Sequence, residues 1–68
     1  MTSYFKQGSR INFNGFKGEV TQITETYKKN VLVVRVREYP KRCPYGRPAM
    51  IGLFEYPDGK LEFMSVID

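Results

Sequence analysis

Residues 31–39 read VLVVRVREY, and this stretch decides the fold. Leu32, Val34 and Val36 alternate with Val31, Val33, Arg35, Arg37 and Tyr39. In an extended chain, successive side chains point to opposite faces. The stretch is therefore a strand with one apolar face, while its other face begins apolar and turns basic. Apolar spacing at i, i+3, i+4 and i+7 is sustained nowhere, and Gly, Pro or Asn interrupts most windows. An all-β chain is expected.

The neighbouring segments extend the pattern. In residues 10–14, Ile11 and Phe13 face one way and Arg10, Asn12 and Asn14 the other, and Asn14-Gly15 suits a tight turn with positive φ. Residues 18–27 form the second strand. Val20 and Ile23 are three apart and share a face only if a bulge or bend falls near Thr21-Gln22. Lys28-Lys29-Asn30 turns the chain into the third strand, residues 31–39. After the loop 40–49 come a fourth strand at 50–56 and a fifth at 61–67. The turn Tyr56-Pro57-Asp58-Gly59-Lys60 joins them. Five short strands, one of them bent, predict a small five-stranded barrel of the SH3-like kind. Residues 8–68 read as a single domain, and 1–7 as a loosely ordered arm whose Tyr4 and Phe5 are able to dock.

The chain has 68 residues, a size at which one core supplies only about 3–5 kcal/mol of net stability. A single cysteine, Cys43, excludes an internal disulfide, and the lack of histidine excludes a Cys/His zinc site. Packing alone must hold the fold, or association must help. No stretch approaches the ~18 apolar residues that span a bilayer, and the first residues lack a leader pattern. With a lone thiol, this predicts a cytoplasmic location.

The formal charge is +4. Arg35, Arg37, Lys41, Arg42 and Arg47 lie between residues 35 and 48 against the single acid Glu38, so this segment carries a net +4 by itself. Elsewhere six basic and six acidic residues cancel.

At residues 8–23 the sequence is GSRINFNGFKGEVTQI. This resembles the KOW motif of SH3-like barrels found in ribosomal and transcription-elongation proteins. Gly8, Ile11, Phe13, Gly18, Val20 and Ile23 match its pattern of a Gly-led strand, a loop, a Gly-x-Val pair and a later aliphatic. The resemblance implies a small barrel that binds RNA, DNA or proteins. It places a ligand near Phe16-Lys17 and the loop after the third strand.

The candidate site follows from the charged segment. Arg35, Arg37 and Tyr39 form an outward row with neighbours ~6.6 Å apart, and Lys41, Arg42, Tyr45 and Arg47 continue it in the loop. Cations neutralise phosphates and aromatic rings stack on unpaired bases. A non-enzymatic nucleic-acid-binding function is therefore expected. The Arg and Lys residues would contact phosphate and Tyr39 and Tyr45 would stack, with Phe16 and Lys17 at the tip of the first loop assisting. Two other readings compete: a charged edge that prevents aggregation, and a protein-interaction module, either an accessory subunit or small regulator docking on an acidic protein partner or a self-associating chain, suggested by Val31 and Val33 beside the basic patch. Pro40, Pro44 and Pro48 are spaced by four, which suits a stiffened loop better than a polyproline ligand. Cys43 has basic neighbours but no histidine to act as base, so it reads as an incidental thiol. Glu55 and Glu62, flanking the last hairpin, read as solvated carboxylates. No metal or cofactor is expected.

Overall fold

The computed structural model describes residues 2–67. Five strands, β1 (Arg10–Phe13), β2 (Phe16–Glu25), β3 (Asn30–Glu38), β4 (Met50–Glu55) and β5 (Leu61–Ile67), form one antiparallel sheet in the order β1-β2-β3-β4-β5. No helix among the described residues is long and apolar enough to cross a membrane.

The first hairpin is the tightest available. Asn14 (φ 48°) and Gly15 (φ 92°) are both left-handed, the geometry of a two-residue type I′ turn. It closes on the pair Phe13–Phe16, so Phe16 opens β2 rather than standing at the tip of a loop. Alternation with Gly18 and Val20 then points Phe16 inward, where it is 4% exposed.

The bend expected in the second strand is present. The β2–β3 register shifts between Val20 and Gln22, and again between Lys17 and Gly18. The first shift leaves Val20 buried and brings Ile23 against the core. At Gly18 the strands crowd together: a Cβ there would lie 1.9 Å from the Arg35 carbonyl oxygen. Only glycine permits that approach.

The inner face gathers Ile11, Phe16, Val20, Leu32, Val34, Val36, Ile51 and Leu53 into a core. Each fully buried Val, Leu or Ile contributes about 1.5–3 kcal/mol. A polar pair shares this face. Asn30 and Glu55 are cross-strand partners and both are fully buried. Glu55 Oε1 accepts a hydrogen bond from Asn30 Nδ2 (3.0 Å), and Oε2 accepts one from the backbone N–H of Tyr4 (2.9 Å). Glu55 is thus a buried anchor and not the solvated carboxylate expected from sequence. Glu62 is exposed and accepts a hydrogen bond from the Tyr56 hydroxyl.

The sheet does not close into the expected barrel. Among the described residues β1 and β5 share no ladder pairs. Two segments bridge the gap instead. At one end, Tyr4 and Phe5 dock: the Tyr4 hydroxyl donates to the Pro57 carbonyl (3.0 Å) and Phe5 packs on the core. At the other end the loop 39–49 reaches from β3 to β5. The last hairpin closes as its residues dictate, with Gly59 N–H donating to Tyr56 O and Lys60 N–H to Asp58 Oδ1.

Candidate nucleic-acid interface

β3 ends at Glu38, one residue before the expected limit. Tyr39 precedes Pro40, which cannot donate to a ladder, and it leaves the outward row of Arg35 and Arg37. Its ring packs inward, edge-on to Phe16 with centroids 6.3 Å apart, and its hydroxyl donates to the Pro48 carbonyl (2.7 Å). The Arg47 guanidinium lies over the Tyr39 ring, 5.7 Å from the centroid. Phe16 is therefore a core residue, and Tyr39 is a half-buried packing residue outside the outward row.

Tyr45 differs. It stacks on Phe63 of β5, with centroids 4.3 Å apart and planes 10° from parallel, yet remains 47% exposed. One ring face is used and the aromatic cluster of Phe16, Tyr39 and Phe63 holds it in place. Cys43 packs against the core, partly buried. The loop is therefore a cap on the open end of the sheet, and its stiffness has a packing role.

The cations divide into two sets. Lys41, Arg42 and Arg47 are exposed on the loop. The loop leaves the sheet at the corner of the first hairpin, where a Cβ on Gly15 would lie 2.8 Å from Pro40 Cβ. The second set lies on the outer face of β1–β3. The register places Arg10 opposite Glu19, Asn12 opposite Lys17 and Glu19 opposite Arg35. Arg37 joins them: its Nε donates to both Glu19 oxygens, at 2.8 and 3.1 Å. Arg10, Lys17, Glu19 and Arg37 line one open cleft of about 810 Å³, which also reaches Gly18 and Glu38.

Arg10, Lys17, Arg35 and Arg37 thus share one exposed face with two carboxylates, Glu19 and Glu38. The Arg37–Glu19 pair is largely solvated, its side chains 57% and 31% exposed, so it contributes about 0–1 kcal/mol. Its larger effect is to fix Arg37 and offset part of the positive field. Arg10 was overlooked because its contribution depends on strand pairing. The Asn14-Gly15 turn was the available signal, since a two-residue loop sets the whole β1–β2 register.

One further group is electrostatically perturbed. The Tyr56 phenol is pushed above its ordinary value of 10.0, first because its hydroxyl donates to Glu62, then by partial burial and the Glu62 charge. Among the described residues no cluster of three or more His, Cys, Asp or Glu is placed to hold a metal ion.

Comparison with known proteins yields no match, whether with family models, curated proteins or solved structures.

Proposed function

We propose that the protein is a non-enzymatic nucleic-acid-binding module whose outer β1–β3 face receives the phosphates of a single strand. The observation that carries this reading is the convergence of Arg10, Lys17, Arg35 and Arg37 on one open face. Guanidinium and ammonium groups held on paired strands neutralise phosphates with little loss of backbone entropy, and this attraction dominates binding that ignores sequence. Lys41 and Arg42 extend the positive field at the adjoining corner. Tyr45, stacked on one side and exposed on the other, offers a ring to an unpaired base.

The bulged second strand and the backbone crowding at Gly18 support the KOW-like reading of residues 8–23. In this view the fold is an SH3-like barrel in which two bridging segments stand where the last ladder would be. The unpaired thiol of Cys43 fits a reducing, cytoplasmic setting.

Fluorescence anisotropy with single- and double-stranded RNA and DNA tests the proposal. Arg10→Gln combined with Arg35→Gln should weaken single-strand binding about tenfold or more at low salt. Lys41→Gln with Arg42→Gln should weaken it less. Parent-like affinity in the first variant would remove the sheet face from the site.

A further inference from the structure

On β4, Met50, Gly52 and Phe54 alternate with buried Ile51, Leu53 and Glu55, and so point away from the core. The register sets Arg35, Val33 and Val31 of β3 on one side of them, and Ile67, Ser65 and Glu62 of β5 on the other. A Cβ on Gly52 would lie 2.4 Å from Met64 Cε and 3.1 Å from Ile67 Cδ1, so those two side chains extend over the glycine. Val31, Val33, Met50, Phe54, Met64 and Ile67 therefore form a continuous apolar strip, each member partly exposed.

The strip ends at β5, the last strand of the sheet. β5 is seven residues long, and Glu62 is its sole charge. It lacks the lysines and prolines that ordinarily protect edge strands. β1, the opposite edge, is only four residues long and carries Arg10.

We infer that this strip is the contact between two copies of the chain, related by a two-fold axis along β4. Such an axis lays β3 of one copy over β5 of the other. Its charges are complementary in that arrangement. Lys29 immediately precedes β3, with its Nζ 4.0 Å from the Phe54 ring centroid, while Glu62 is the β5 partner of Phe54. The rotation that superposes β3 on β5 brings each Lys29 towards the second copy's Glu62. Arg10, Lys17 and Arg37 belong to the cleft outside the strip, and Arg35 borders the strip beside Met50. Pairing through β1 would instead oppose two Arg10 side chains. Three strands ~4.8 Å apart and ~20 Å long give a contact well under the roughly 800 Å² per partner of a standard interface. The dimer is accordingly weak.

Sedimentation equilibrium on nuclease-treated protein, from about 10 μM to about 1 mM, tests this without involving nucleic acid. The parent should show a monomer–dimer equilibrium with its midpoint in that range. Lys29→Glu and Glu62→Lys should each weaken association about tenfold, and the double exchange should restore it. Val33→Lys should be monomeric with an unchanged circular dichroism spectrum. A parent that stays monomeric overturns the inference. Failure of the double exchange to restore association, or dimerisation of a folded Val33→Lys, equally overturns it.

Discussion

Replacing Gly18 with alanine would place a methyl carbon 1.9 Å from the Arg35 carbonyl oxygen and 2.8 Å from the Arg35 carbonyl carbon. Close carbon–oxygen contacts between strands settle near 3.3 Å, so β2 and β3 would have to part by more than ~1 Å. The obstacle is backbone, and no side-chain rotation relieves it. Gly18 pairs with both Ile11 and Val36, so the displacement loosens two ladders together. Two weakened backbone hydrogen bonds at about 1 kcal/mol each, added to about 1–3 kcal/mol for overpacking, outweigh the gain of about 0.4–1 kcal/mol from restricting the unfolded chain. The expected net loss is about 3 kcal/mol. Urea denaturation followed by circular dichroism measures it directly. The loss approaches the whole stability available to a domain of this size, so Gly18→Ala should have little or no cooperative transition at room temperature. A midpoint within about 0.5 kcal/mol of the parent, with an unchanged slope, would refute the crowding argument.

Glu55→Ala should cost about 2–4 kcal/mol, because it strands the Tyr4 N–H and the Asn30 amide without their acceptor. Hydrogen exchange should show the Tyr4 amide losing protection while the β2–β3 amides keep theirs. Glu19→Gln removes a carboxylate amid the sheet-face cations, so the single-strand salt slope should steepen by about 0.7 in magnitude and low-salt affinity should rise; anisotropy titrations at several salt concentrations check this. Because the folded pKa of Tyr56 is raised, the contribution of this group to stability is complete below the unfolded value of 10.0 and disappears as pH climbs through the folded value. In NMR titrations Glu62→Gln should therefore move the Tyr56 ring ionisation to lower pH than in the parent.

The strands were legible in the sequence wherever alternation and turn chemistry acted locally. Residues 61–67 coincide with β5, and the bulge near Thr21-Gln22 followed from the spacing of Val20 and Ile23. Phe16 falls inside β2 and not at a loop tip because Asn14 and Gly15 alone complete the turn. Tyr39 leaves the outward row because alternation stops with the strand at Glu38 and the next position is governed by Pro40. Glu55 shares its face with Ile51 and Leu53, which alternation makes visible. Its compensation comes from Asn30 and from Tyr4, 51 residues away, and no local pattern reports that. The missing β1–β5 ladder is a property of how the sheet coils, which depends on both ends of the chain together. The basic segment of residues 35–48 was visible as composition. Its division into a Glu19-centred sheet face and a capping loop required the register.

The central claim is that the sheet face carrying Arg10, Lys17, Arg35 and Arg37 binds a single-stranded phosphate backbone. The salt dependence of that binding, measured on parent and on Arg10→Gln/Arg35→Gln, addresses it most directly. With about four phosphates neutralised, log K against log salt should fall with a slope of about −3, and the variant slope should be shallower by about 1.4. No binding by the parent at low salt, or equal slopes for parent and variant, would contradict the account.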